Sequence, residues 1–275
     1  MTTQQQPADA SVDVPWIVAH VGDPAVRVVE VDVSRAAYDE GHIPGAILWN
    51  AYVDLRDSAY TPVPPPELQR LFSRSGITPE SVVVVYGYAA PLGFWLMKAY
   101  GHRDVRRLVG SRDQWVEAGE RWTTDVPSPK DSHYPLPSED ADLFASRQAL
   151  EAAIGRPDQV ILDVRSELEY TGEYFWPSGA AETTGRSGHV PGAVNIPIDS
   201  LREENGAPKS IEELRRTFEQ AGVTDDKAVI TYCTIGNRAS EVWVALKYGL
   251  GYPNARVYYD SWAVWGKLID TPVAA

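Results

Sequence analysis

The hexapeptide Gly41-His-Ile-Pro-Gly-Ala46 returns as Gly188-His-Val-Pro-Gly-Ala193, and this repetition constrains the fold more than any other feature of the chain. The landmarks around it recur in one order. An apolar run precedes each copy, Val26 to Asp32 in the first half and Val160 to Arg165 in the second. A β-rich run follows each, Val82 to Tyr86 and, 146 residues later, Ala228 to Tyr232. These runs lead into apolar residues at helical spacing, Leu92 to Tyr100 and Ala239 to Tyr248, and both patterns stop near glycine (Gly101; Gly249 and Gly251). Tryptophan-bearing segments around Trp115 and around Trp262 to Trp265 close the halves. The chain is a tandem duplication. Its period is far longer than that of a solenoid, so the halves are expected to be two α/β domains, each a mainly parallel sheet flanked by helices.

The boundaries follow from composition. Residues 1–9 read as a flexible polar tail, residues 10–122 as the first domain and residues 143–275 as the second. Between them, 123–142 reads as an extended linker, because Thr123 to Ala141 carries four prolines among polar and acidic residues. The second half also holds an extra segment, Glu169 to Ser187, where the first half has only Ser34 to Glu40. Long loops at strand ends often cover sites.

Composition removes several classes of function. One cysteine in 275 residues excludes an internal disulfide framework and any metal site built from several cysteines. A net charge of −13 argues against nucleic acid, whose phosphates require a basic footprint. No apolar run approaches the roughly 20 residues that span a bilayer. The segment Met1 to Ala10 lacks the basic and apolar regions of a secretory signal, so a cytoplasmic location is expected, with no membrane partner.

The duplication supplies an internal control: features in both halves serve the fold, and features in one half are candidates for chemistry. The Gly-His motif occurs twice, so His42 and His189 read as structural. The strand–loop–helix unit differs. Aligning Tyr86 with Tyr232 sets Gly87 against Cys233 and Leu92 against Arg238. The first half therefore keeps the scaffold without the thiol or the cation. Cys233 lies where a strand ends and a helix begins, and the unpaired N–H groups of a helix start stabilise a thiolate.

These residues resemble the rhodanese family of sulfurtransferases over nearly the whole chain. The marks are the tandem halves, the two Gly-His-x-Pro-Gly-Ala motifs, Asp163-Val-Arg165 ending a strand, and the loop Cys233-Thr234-Ile235-Gly236-Asn237-Arg238. The likeness is greatest to two-domain bacterial, actinobacterial-type thiosulfate enzymes with an inactive N-terminal domain. The resemblance implies that Cys233 takes the sulfane sulfur of thiosulfate as a persulfide and passes it to a thiophilic acceptor, cyanide or a thiol. It implies no cofactor and no metal. The loop N–H groups from Thr234 to Arg238 would ring the sulfur, and Gly236 would permit the tight approach. Arg238, and Arg186 beside the second Gly-His motif, are candidates for holding the donor's anionic end, while Asp163 and Arg165 are expected to brace the loop.

Three alternatives stay open. Thr234 and Ile235 match neither the basic residues that follow the cysteine in vertebrate thiosulfate enzymes nor the small-residue loop of 3-mercaptopyruvate enzymes. A persulfide carrier or regulatory module would keep both Cys233 and Arg238. Phosphate-ester chemistry is disfavoured, because phosphatases of this fold place five residues between cysteine and arginine and this chain has four.

Overall fold

A computed structural model describes residues 10–110 and 112–275, so the expected tail at 1–9 lies outside the described residues. The chain divides into two units, the first ending at Glu139 and the second running from Asp140 to Ala275. In the first, strands β1 (Ser11–Val12), β2 (Val26–Asp32), β3 (Ile47–Asn50), β4 (Val82–Tyr86) and β5 (Val105–Leu108) form one sheet in the order β1-β5-β4-β2-β3. In the second, β6 (Gln159–Asp163), β7 (Val194–Asn195), β8 (Ala228–Tyr232) and β9 (Ala255–Val257) run in the order β7-β6-β8-β9. Every strand pair in both sheets is parallel. A parallel bridge from Phe144 to Val257 stands where β1 stands in the first sheet, so the two orders coincide. Each unit is an α/β domain, as the duplicated pattern predicts.

The strand sequences explain the layering. In β4, Val83, Val84, Val85 and Tyr86 are all buried, as a central parallel strand covered on both faces requires. In β8 the one polar residue, Thr231, is fully buried and donates to the carbonyl of Ala239, so the following helix satisfies it. That helix spans Asn237–Val244, two residues earlier at its start than the apolar spacing suggests. Its final turn, Ala245–Gly249, is widened, with the Leu250 amide reaching back five residues to the Ala245 carbonyl at 2.9 Å. Trp243, Trp262 and Trp265 are fully buried in the second unit, and Trp49, Trp95 and Trp115 in the first.

Both Gly-His motifs do the same work. His42 Nδ1 donates to the Tyr38 carbonyl at 2.8 Å and its ring stacks on Tyr38 at 3.7 Å. His189 Nδ1 donates to the Tyr170 carbonyl at 2.8 Å and stacks on Tyr170 at 3.7 Å. The Tyr38 and Tyr170 hydroxyls donate to the carbonyls of Ala46 and Ala193. The histidine backbones pair with segments much later in the chain, Thr123 in one unit and Ala274 in the other. Past Thr123, Ser132 donates to the carbonyls of Ser73 and Ile77, and Tyr134 is buried against His102, so this proline-rich stretch runs along the first unit.

The pairing and stacking of His189 make it a structural residue. His189→Ala should lower the stability of the second unit by about 1–3 kcal/mol, the sum of a lost hydrogen bond and a lost ring contact. A urea midpoint unchanged from the parent chain would contradict this.

Candidate active site

In an open parallel sheet, ligands bind beyond the carboxyl ends of the strands at the point where the strand order reverses. From β6 the chain passes to β7 on one side and to β8 on the other, so the reversal lies between β6 and β8. Asp163 ends β6 and Cys233 directly follows β8. The sulfur candidate of the sequence therefore stands at the reversal, and Gly87 stands at the matching place after β4.

Cys233 to Gly236 form a tight loop ahead of the helix Asn237–Val244. Gly236 adopts φ +89, and a Cβ there would lie 2.8 Å from the Tyr259 ring, so both conformation and space call for glycine. Its N–H donates to Cys233 Sγ at 3.1 Å. The carbonyls of Cys233 and Thr234 each accept an N–H at 2.9 Å, from Trp262 and Ala263. Two negative dipole ends are thereby held on the helix Ser261–Trp265. Ser261 holds φ +55, unusual for a residue with a side chain, and its hydroxyl accepts the Cys233 amide at 3.3 Å. Cys233 itself is only 1% exposed, so little of its surface meets bulk water.

The electrostatic centre of the site is a residue that the sequence did not single out for chemistry. Glu169, fully buried, receives Arg238 through two hydrogen bonds of 2.8 Å and the Thr234 hydroxyl at 2.6 Å. The same Arg238 reaches Thr234 Oγ1 at 2.6 Å. Glu169 also accepts the amide and hydroxyl of Ser166, closing a reciprocal cap on the helix Glu167–Tyr170. Burial works against a charged carboxylate, but Arg238, Thr234 and Arg165 outweigh it and hold Glu169 down to about 2. Arg238 thus ties the loop to Glu169 directly and through Thr234. The signal that could have found Glu169 is the spacing Ser166-x-x-Glu169, a helix-start pattern placed at a strand end.

A second buried ion pair stands behind the first. Arg165 Nη2 lies 2.6 Å from Asp163, donates to the Gly188 carbonyl at 2.7 Å, and packs its guanidinium 4.4 Å from the Trp262 ring centre. Tyr232 donates to Asp163 at 2.5 Å and accepts the Val190 amide at 3.1 Å. Burial and the Asp163 charge push the Tyr232 hydroxyl well above its ordinary range, so it remains a donor. Arg186 points elsewhere. Its guanidinium donates to the Leu268 carbonyl and, at 2.9 and 2.7 Å, to the carbonyl and hydroxyl of Thr271. It ties the 169–187 segment to the C-terminal turn.

A family model described as a rhodanese-like domain matches the chain twice, over residues 13–118 and 146–268. The chain belongs to the rhodanese family. The sulfur carrier protein TtuD of Thermus thermophilus is 40% identical over 94% of this chain and 94% of its own length. A Haloferax volcanii protein named "Putative thiosulfate sulfurtransferase" is 38% identical over 99% of both chains. The similarly named SseA of Mycobacterium tuberculosis is 36% identical over 94% of this chain and 89% of its own. Among solved structures, the anaerobic ergothioneine biosynthesis enzyme of Chlorobium limicola superposes with a TM-score of 0.84 at 24% identity, over 97% of this chain and 70% of that one, which shows a shared fold. Within this rhodanese, the two units differ at their site positions while sharing their frame.

Two outcomes test the Glu169–Arg238 pair. A carboxylate held at about 2, against 4.5 when unperturbed, adds stability that is complete above pH 4.5 and is lost as pH falls towards 2. Glu169→Gln should flatten that part of the acid-denaturation curve by on the order of 3 kcal/mol, and an unaltered acid limb would refute the pair's role. Arg238→Leu strands the buried carboxylate and should cost about 3–5 kcal/mol, partly restored in Glu169→Gln/Arg238→Leu. Additive losses in urea titrations of the double variant would contradict the coupling.

Proposed function

We propose that the second unit is a sulfurtransferase centre in which Cys233 carries a sulfane sulfur as a persulfide, with thiosulfate as donor. The observation that carries this reading is the Gly236 N–H directed at Cys233 Sγ, 3.1 Å away, at the start of an eight-residue helix. An N–H donor and a helix start placed beside sulfur favour an anionic sulfur species there. The lone cysteine supports the same reading, since no neighbouring thiol of the chain can discharge a persulfide as a disulfide.

The reaction then has two steps. The Cys233 thiolate attacks the outer sulfur of thiosulfate, a sulfur–sulfur bond forms, and the original one breaks with its electron pair leaving on sulfite. A thiophilic acceptor, cyanide in an assay or a thiol in the cell, then attacks the terminal sulfur of the persulfide and regenerates the thiolate. Neither step needs a general base if the thiolate is already present. Thr234, Ile235, Gly236, Asn237 and Arg238 form the cradle: their amides hold the charge on sulfur, and Arg238, fixed by Glu169, adds a cation at the helix start. Arg186, committed to Leu268 and Thr271, has a structural role in this reading. The first unit, with Gly87 and Leu92 in place of Cys233 and Arg238, has no sulfur chemistry of its own. A reducing compartment such as the cytoplasm suits a free thiol and its persulfide.

The likeness to TtuD, a protein named as a sulfur carrier, favours a second reading, a persulfide carrier that is loaded by another enzyme. Incubation with thiosulfate and cyanide separates the two. Thiocyanate formed over many turnovers, and absent in Cys233→Ser, supports the enzyme. Stoichiometric release after loading, without turnover, supports the carrier. A chain that gains no sulfur from any donor would sink both. The donor preference should favour thiosulfate, and a kcat/KM for 3-mercaptopyruvate well above that for thiosulfate would overturn this choice.

A further inference from the structure

The first unit keeps a cavity of about 300 Å³ where its scaffold repeats the sulfur site. Glu30, Asp32, Ala37, Tyr86, Gly87, Arg112 and the rings of Trp115 and Trp122 are among its lining residues. The internal duplication explains the space. Ala37, the residue before Tyr38, stands where Glu169 stands before Tyr170, and Leu92 stands where Arg238 completes the second site. Neither the carboxylate nor the cation of the second site has a counterpart at these two positions, and the short side chain of Ala37 lines the cavity.

The charges differ as well. Glu30 pairs in register with Tyr86 as Asp163 pairs with Tyr232. The counter-cation of Asp163 is Arg165, two residues on, and the residue two positions after Glu30 is the acid Asp32. Glu30 is 2% exposed, and its Oε2 has no hydrogen-bond partner among the described residues. Burial pushes this carboxyl up; Tyr86 and Arg112 pull it back, Asp32 raises it, and His42 lowers it. Arg112 donates from Nη2 to the Gly41 carbonyl at 2.7 Å, as Arg165 does to Gly188, and its guanidinium lies 4.1 Å from the Trp122 ring centre, but it makes no hydrogen bond to Glu30 Oε2. Asp32 accepts backbone amides at its rim: Val33 at 2.6 Å and Ser34 at 3.3 Å on one oxygen, and Tyr88 at 3.5 Å on the other.

A buried carboxyl oxygen without a partner costs free energy that a bound donor would recover. A ligand that fits must bring N–H donors and positive charge to Glu30 and Asp32 and an apolar body to Trp115, Trp122 and Ile43. We propose that this cavity binds a small organic cation, an ammonium or amidinium carried on an aromatic or aliphatic body. The site does not revert to sulfur chemistry by one exchange. Gly87 holds φ +96 and a Cβ there would lie 2.8 Å from the Val31 carbonyl, so a cysteine at 87 is strained where Cys233 is not. The unit keeps the frame of the sulfur site with an acid, Asp32, in the place of Arg165. This inference is independent of which donor loads Cys233.

Calorimetric titration of the full chain with benzylammonium, benzyl alcohol and benzoate tests the proposal. The expected result is saturable one-to-one binding of benzylammonium, at least tenfold weaker binding of benzyl alcohol and none of benzoate. Glu30→Gln, which keeps the shape and removes the charge, should weaken benzylammonium at least tenfold. Ala37→Leu fills the cavity without touching an acid and should weaken it by a similar factor, so the test stands even if Glu30→Gln fails to fold. No saturable heat with benzylammonium, benzoate binding as well as benzylammonium, or full affinity in Ala37→Leu would each overturn the proposal.

Discussion

A buried tyrosine hydroxyl ties together the ends of the two central strands in each unit, and the rest of each site is arranged around it. In the second unit Tyr232, ending β8, donates to Asp163, ending β6, and accepts the Val190 amide of the Gly-His turn. In the first, Tyr86 accepts the Ile43 amide of the matching turn at 3.1 Å and faces Glu30. One polar group thus fixes two strand ends and a turn where the strand order reverses. Since a buried donor or acceptor left alone is costly, this contact specifies geometry more than it adds stability.

From that shared frame the two units diverge by charge. Arg165 neutralises Asp163 from inside the core, and Arg238 neutralises Glu169 nearer the surface. Two buried pairs flank the loop from Cys233 to Gly236, where the Gly236 N–H meets sulfur. Desolvating such pairs is expensive, so their value lies in holding one arrangement of the loop. In the first unit Arg112 takes the glycine carbonyl that Arg165 takes in the second, Leu92 stands in the place of Arg238, and one oxygen of Glu30 stays unpartnered among the described residues beside the cavity.

Much of the site was legible because the chain contains its own comparison. The pairing of Gly87 with Cys233 and of Leu92 with Arg238 separates scaffold from chemistry without any other sequence, and the matching registers of β4 and β8 support that alignment. Glu169 was not legible as a partner of Arg238. It lies 69 residues earlier in the chain, and nothing local marks a helix-capping glutamate as one that also reaches across the site. Arg186 shows the reverse: its place before the Gly-His motif suggested a ligand contact, but the C-terminal turn, 85 residues later, takes up its donors. The helix after Cys233 began earlier than its apolar pattern because Asn237 and Arg238 are polar residues in its first turn.

The sequence by itself determined the duplication, the parallel α/β class and the one thiol with its six-residue loop. These are properties of periodicity, repetition and residue identity, which act locally along the chain. Only the tertiary structure decided which charges meet. It set Arg238 against Glu169, Arg165 against Asp163 and Arg186 against the C-terminal turn, and left one oxygen of Glu30 without a hydrogen-bond partner among the described residues. Coulombic and hydrogen-bond pairing depends on distance in space, and the sheet brings together residues that no spacing along the chain connects.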